Sequence, residues 1–442
     1  MRRAVTDRPR VLLIAEAANP EWVSVPLIGW SLAQALRDVA EVHLVTQIRN
    51  REAILRAGLV EGQDFTAIDS ETMARPLWAL GSRLRMGEGK GWTTLQAINA
   101  LSYPHFERLV WRKFGPDLRA GAYDIVHRVT PLSPTIASPL AAKCARAGVP
   151  FVLGPLNGGV PWPRAFDAER RKEREWLSYV RGAYKAWPGH KRALQQASAI
   201  IAGSRHTAAE LPAGLAAKTI YLPENAVDPA RFSRGTAPAG ATPLRACFIG
   251  RMVPYKGPDM LLEAARPLLQ SGRMQLEMIG DGPLLPALKS SAEGLPGVTF
   301  HGWLAHEAVQ DVAATTSLLA FPSVREFGGG VVLEAMAMGL ASLIVDYAGP
   351  AELLAPGTGW KVPLGDRAAI VAGFRAELSR LADAPEEVTA AGMQAREVVA
   401  RAYTWPRKAE QVSQIYQWVL GQRSTKPEPL SALTGENAHA AE

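Results

Sequence analysis

Short apolar runs alternate with helically spaced stretches along most of this chain, and they do so in two series. The first runs through "RVLLIAE" (10–16), a helical stretch at 31–39, "EVHLVTQ" (41–47), a strand at 124–127, a helical stretch at 135–148, "VPFVLGP" (149–155) and "ASAIIAGSR" (197–205). Strand, helix, strand in series predicts a parallel sheet with helices on both faces. The pattern breaks at "SRGTAPAGATPL" (233–244), rich in Gly, Pro and small residues, as a domain boundary would be. A second series follows, with strands at 245–250, 275–282, 298–302, 317–323 and 341–349 and helices at 257–270, 283–293, 305–314 and 330–339. A chain of 442 residues has room for two such domains. The expected division is 1–232 and 233–402, then a helix at 403–423 with Ala409, Val412, Tyr416 and Val419 on one face. A polar tail at 424–442 is expected to be disordered.

Composition narrows the class. With 48% hydrophobic and 21% charged residues the chain reads as an ordinary globular protein. Cys144 and Cys247 are the only cysteines, too few for a disulfide framework or a Cys-based metal site, which fits a reducing compartment. The apolar run from Val11 to Ile14 is short and soon meets Glu16; it reads as a first buried strand rather than a leader. No stretch approaches the ~18 apolar residues of a membrane-spanning helix. The net charge is 49 − 42 = +7, which suits an anionic partner: nucleic acid, lipid headgroups or a sugar nucleotide.

Three segments in the second half carry chemistry. In "FIGRMVPYKGPDMLLEAA" (248–265) a strand ends at Gly250, Arg251 and Lys256 occupy the following loop, and Gly257-Pro258 opens a helix. Strand carboxyl ends form the ligand crevice of a parallel sheet. Two cations beside free helix N–H groups there suit a diphosphate; two solvated loop charges are the other reading. "IGDGPLLPALK" (279–289) again runs from strand through Gly280 and Gly282 into a helix. It lacks the third glycine of a dinucleotide fingerprint, so a tight turn explains it equally well. In "EFGGGVVLEAMAMG" (326–339), Glu326 lies in a loop and Glu334 about one turn into a helix, with Gly328, Gly329 and Gly330 between them. Bare backbone admits a ligand closely, and a carboxylate accepts two hydrogen bonds from a vicinal diol such as a ribose.

The ordered set Gly-Arg-x4-Lys-Gly, Gly-Asp-Gly-Pro, Glu-x7-Glu and "AGPAELL" (348–354) resembles the retaining glycosyltransferases of family 4, also called glycosyl transferases group 1. The likeness is specific over 245–360, while 1–220 match only loosely. It implies an α/β architecture, the GT-B fold: two Rossmann-like, doubly wound domains facing a cleft, with a C-terminal helix crossing back to the N-terminal domain. By this resemblance Arg251 and Lys256 would bind the donor diphosphate and stabilise it as leaving group. Glu326 would contact sugar hydroxyls, Phe327, Gly328, Gly329 and Gly330 would line the sugar and phosphates, and Glu334 would hold the ribose. Gly250, Gly280, Gly282 and Leu304 would complete the donor site, the last near the base.

The first half is less specific. "DIVHRVTPLSPT" (124–135) carries His127 at a strand end, where the family often has His-x-His; Val129 stands at the second place. His127 is the candidate catalytic histidine, with a strand-end histidine satisfied by backbone as the alternative. Asn19 and Trp22 in "AEAANPEW" (15–22) and Gly158, Gly159 and Trp162 in "GPLNGGVPWP" (154–163) are candidate acceptor contacts. The segments 83–119 and 170–192 interleave Lys and Arg with Trp92, Trp111, Trp176, Tyr179, Tyr184 and Trp187, which suits an anionic bilayer interface, an anionic glycan or nucleic acid, or a solvated helical face.

The resemblance therefore implies a hexosyltransferase that moves a sugar from a nucleotide-diphosphate sugar (UDP, GDP or ADP) to a lipid-linked or glycan acceptor. It would act in glycolipid or cell-surface polysaccharide synthesis, in the cytoplasm or at the inner face of the membrane, without cofactor, metal or nucleic acid. Front-face displacement is the expected route to retention. The alternatives are a sugar-nucleotide epimerase or glycogen-type synthase on the same fold, or a membrane-associated sugar-nucleotide-binding subunit without catalysis.

Overall fold

In a computed structural model, residues 8–73, 75–76, 92–158, 160–172, 188–232, 240, 242–428 and 430 are described. The chain divides into two compact units, one of Met1–Gly159, Arg171–Glu224 and Trp405–Glu442, the other of Val160–Arg170 and Asn225–Thr404. The division thus falls at Glu224/Asn225 and Thr404/Trp405, not at the Gly/Pro-rich stretch 233–244, most of which lies outside the described residues.

The first unit is built on a parallel sheet of seven strands: β1 (Arg10–Ala15), β2 (Glu41–Gln47), β3 (Phe65–Ile68), β4 (Ile125–Thr130), β5 (Phe151–Leu156), β6 (Ala199–Ala202) and β7 (Thr219–Tyr221), in the order β3-β2-β1-β4-β5-β6-β7. Side chains alternate across a strand. Leu12, Ile14, Val126, Phe151, Leu153 and Ile200 therefore share one face, buried by Phe106, Val110, Phe114 and Leu118 of the helix Trp92–Arg119, Leu140 and Cys144 of Pro139–Ala147, and Leu194 of Pro188–Gln196. Each such side chain, fully buried, is worth about 1.5–3 kcal/mol. Leu13 and His127, paired across β1 and β4, point the other way. On that side the helices Val25–Leu36 and Trp405–Val419 pack together.

The second unit holds six parallel strands: β8 (Leu244–Ile249), β9 (Met274–Ile279), β10 (Val298–Gly302), β11 (Leu318–Phe321), β12 (Ala341–Asp346) and β13 (Gly359–Pro363), ordered β10-β9-β8-β11-β12-β13. The chain winds outward in one direction from β8 and in the other from β11. Between these two strands lies the topological switch point, at whose carboxyl side open α/β sheets bind their ligands. Helix Pro258–Gln270 starts as its sequence predicts, with left-handed Gly257 before Pro258, and buries Met260, Leu261, Ala264, Ala265 and Leu268 along one stripe.

Every strand expected from the sequence is present. The three that the pattern did not reveal, β3, β7 and β13, all lie at sheet edges. β7 and β13 are half-solvated and so do not need the apolar run that marks a central strand, while β3 is buried but only four residues long. The tail is partly anchored rather than free from residue 424: Lys426 donates to the carbonyls of Ala216 and Thr219 at 3.2 and 3.1 Å, and Leu430 is buried. Among the described residues no helix is long and apolar enough to cross a membrane.

Candidate active site in the second unit

The loop after β8 and the loop after β11 meet at the switch point. Val324 N–H and Ser323 Oγ both donate to the carbonyl of Tyr255, at 2.9 and 3.3 Å. That pairing sets the next residues of the two loops side by side. Lys256 Nζ donates to Glu326 Oε2 at 2.7 Å and lies 5.2 Å from the centre of the Phe321 ring. Both side chains are mostly buried, at 17% and 22% exposure. Burial alone would push the Lys256 ammonium toward its neutral form, but the Glu326 carboxylate outweighs it and holds the pKa above the ordinary lysine value. Arg251 lies near enough to oppose Lys256's charge, yet it is exposed and, among the described residues, makes no ion pair. The Lys256–Glu326 pair with Arg251 beside it therefore carries two cations against one carboxylate.

The glycines shape this site. Gly280 has φ +132°, and its N–H donates to Gly302 O at 2.8 Å; a Cβ there would fall 1.9 Å from Gly250 O. No other residue lets the ends of β8 and β9 approach so closely. Gly250 borders the Lys256 stem, and Gly282 lies against the Met252 backbone. Gly329 is left-handed (φ +60°) and caps the helix Gly330–Ala337, whose first N–H groups have no partner within the helix. Asn225 Nδ2 holds Gly328 O at 2.8 Å from the stretch that enters this unit.

One turn into that helix, Glu334 is 37% exposed and lies 3.9 Å from His306 Nε2, at the start of the helix His306–Ala313. His306 stands edge-on to Phe232 at 5.1 Å. Leu304 is half-buried two residues earlier. Thus Gly250, Arg251, Lys256, Gly280, Gly282, Leu304, Glu326, Phe327, Gly328, Gly329, Gly330 and Glu334 all belong to this one unit. Among the described residues no three His, Cys, Asp or Glu side chains gather as a metal site.

Sequence reasoning missed what stands behind Glu326. Arg325 is buried, with its guanidinium 4.9 Å from the Trp162 ring centre and 5.3 Å from Phe327. Trp162 also packs edge-on against Tyr255 at 5.9 Å, and Tyr347 Oη donates to Pro161 O at 2.7 Å. Two rings lie within cation–π reach of the guanidinium, so the residues flanking Lys256 and Glu326 are braced by the segment 160–170. Trp162 was expected on the acceptor side. It is 7% exposed and belongs to the second unit. The adjacent aromatic and cation in "YK" and "REF" were the available signal.

Three other candidates are buried. His127 is fully buried; Nε2 bonds Gly154 O and Nδ1 bonds Tyr416 Oη, both at 2.7 Å. A carbonyl can only accept, so Nε2 carries the proton and Nδ1 accepts from the tyrosine. Burial pushes the imidazole pKa down to about 4, against a small upward pull from Gly154 O. The neutral ring bridges β5 and the helix Trp405–Val419 in the core of the first unit. Asn19 is also buried, its Oδ1 accepting from Glu21 N–H at 2.9 Å, which shapes its own loop. Gly158 is buried within a polar cluster in which Asn157 Nδ2 reaches Glu224 at 2.7 Å and Thr207 Oγ1 donates to Gly158 O at 3.1 Å. Of the remaining acceptor candidates, Trp22 is 45% exposed and Gly159 lies outside the described residues.

Residues 243–380 match the family model described as Glycosyl transferases group 1. The matched stretch spans all six strands of the second unit. A kanosaminyltransferase of Streptomyces kanamyceticus is 30% identical over 178 residues, covering 38% of this chain and 44% of its own. The chain thus spans less than half the length of this relative. A putative colanic acid biosynthesis glycosyltransferase of Salmonella typhimurium is 25% identical over 313 residues, covering 63% of this chain and 74% of its own. Among solved structures, Anabaena HepE in complex with UDP and glucose is similar with a TM-score of 0.56 and 15% identity, covering 93% of this chain and all of HepE. The fold is GT-B, with both halves doubly wound. All the donor-site candidates lie within the matched stretch.

Proposed function

We propose that the protein transfers a sugar from a nucleotide-diphosphate sugar to an acceptor hydroxyl, with retention of anomeric configuration. The observation that carries this reading is the Lys256–Glu326 pair at the β8/β11 switch point, with Arg251 beside it and the Gly330–Ala337 helix N-terminus adjoining. A diphosphate takes its counter-charge from Arg251, Lys256 and the helix N–H groups, which stabilise the leaving nucleotide without a metal. Glu326 sits at the sugar, where Lys256 fixes its rotamer. Glu334 accepts from the ribose diol. Retention follows from displacement on the face from which the leaving group departs.

The donor class draws support from HepE, whose structure holds UDP and glucose. The acceptor class, a glycolipid or cell-surface polysaccharide precursor, draws on the colanic acid relative. A lipid-linked acceptor places the enzyme at the inner face of the cytoplasmic membrane. A thermal-shift panel of UDP-, GDP- and ADP-sugars tests the donor site. A ligand present at ~100 times its Kd stabilises the folded state by about 2.7 kcal/mol. One base class should raise the melting temperature, and Lys256→Ala should abolish the rise. No shift with any nucleotide sugar or nucleoside diphosphate would sink the reading.

A further inference from the structure

The helices that cover one face of the first sheet carry an outer surface that catalysis does not use. On the helix Trp92–Arg119, Arg108, Arg112 and Arg119 are exposed. At 100° per residue they fall within about 40° of one another, on the side opposite the buried stripe Phe106, Val110, Phe114 and Leu118. The neighbouring helix Pro139–Ala147 adds Lys143 and Arg146, and the helix Pro188–Gln196, packed on it, adds exposed Lys191 and Arg192.

Among the described residues, none of these seven cations is in an ion pair. Elsewhere on the surface Arg10, Arg37, Arg51, Arg56, Arg367 and Arg380 each hold a carboxylate at 3.0 Å or less. On the described parts of the three helices Asp117 is the one exposed acid; Glu107 is buried, capping the Pro139–Ala147 helix through Leu140 N–H at 2.7 Å. Trp111 stands half-buried in the middle, with Lys143 Nζ and Arg119 Cζ each 5.4 Å from its ring. Unpaired cations spread over the outside of a helix layer, around an amphipathic ring, match a planar anionic surface. A single-stranded nucleic acid would instead need a groove with stacking rings.

We propose that this three-helix face docks the protein on a bilayer rich in anionic phospholipid. The choice of a lipid surface over another polyanion rests on the lipid-linked acceptor proposed above. The attraction is electrostatic and acts within a Debye length, so salt weakens it.

The test is sedimentation of the full chain with vesicles of phosphatidylcholine alone and of phosphatidylcholine mixed with phosphatidylglycerol. The protein should pellet with the mixed vesicles at low salt, and not with neutral vesicles or at high salt. At roughly fivefold per cation at the surface, the Arg108→Glu, Arg112→Glu, Arg119→Glu triple variant should partition at least ~100-fold less. These arginines lie outside the donor site, so the nucleotide-induced thermal shift should be unchanged and certifies the fold. If the triple variant does not fold, Lys191→Glu with Arg192→Glu, on another helix, should weaken partitioning ~20-fold or more. Three results overturn the proposal: no pelleting of the wild type with anionic vesicles, equal pelleting of the folded variants, or retention on heparin without any vesicle binding. None of them touches the nucleotide shift, so a failure here stays distinct from a failure of the transferase reading.

Discussion

Removing the Glu326 carboxylate should affect nucleotide binding and turnover in opposite directions. In the structure Glu326 is the counter-ion of Lys256, at 2.7 Å and with both side chains mostly buried. A donor diphosphate must compete for that ammonium. A charge-assisted hydrogen bond of this kind is worth about 1.5–3 kcal/mol net, or one to two decades of affinity. In Glu326→Gln the ammonium, with Arg251 nearby, keeps its charge and loses its internal partner. Nucleoside diphosphate alone should therefore bind the variant as tightly as the wild type or up to ~10-fold more tightly, measured by calorimetry. Turnover should fall by about 10³ or more, because the group at the sugar is gone. If nucleoside diphosphate affinity falls in step with kcat, Glu326 holds the nucleotide itself, and the counter-ion account is wrong.

Three further outcomes follow from named contacts. Trp162→Ala should free the Arg325 guanidinium and lower kcat about 10-fold with little change in donor KM, while Trp162→Phe restores it; equal activity of all three would deny the brace behind Glu326. Gly280→Ala places a Cβ 1.9 Å from Gly250 O at φ +132° and should cost at least ~3 kcal/mol in denaturant unfolding of this unit. His127 has a folded pKa pushed down from 6.5 to about 4. Its neutral form thus favours folding fully above pH ~6.5, and up to about 3 kcal/mol is lost as pH falls through ~4. His127→Leu should flatten that acid limb without abolishing turnover per folded molecule, as a stability–pH profile and an assay would show.

Much of this architecture was legible because central parallel strands must be apolar on both faces. The runs at 10–16, 41–47, 245–250 and 317–323 are therefore unmistakable in sequence. Edge strands such as "TIY" and "GWKVP" escape that demand and were silent. In the second unit, Lys256 and Glu326 were each singled out in sequence, but their pairing follows from β8 and β11 lying side by side, which no local pattern shows. Trp162 could not be placed. It follows a strand of the first sheet in sequence but packs with Tyr255 and Arg325 of the second unit. His127 and Asn19 looked functional because polar residues at strand ends often are. Whether such a group faces a ligand or bridges the core depends on partners such as Tyr416, almost 300 positions away, which no local pattern reveals.

Release of nucleoside diphosphate from a nucleotide sugar is the most direct test of the central claim. Purified protein should be incubated with UDP-, GDP- and ADP-sugars, with and without glycolipid acceptors, and the freed nucleotide measured. Wild-type protein should release nucleotide from one base class, faster with acceptor, and Glu326→Ala should release almost none. If the wild type frees no nucleotide from any donor under either condition, the protein is not a glycosyltransferase.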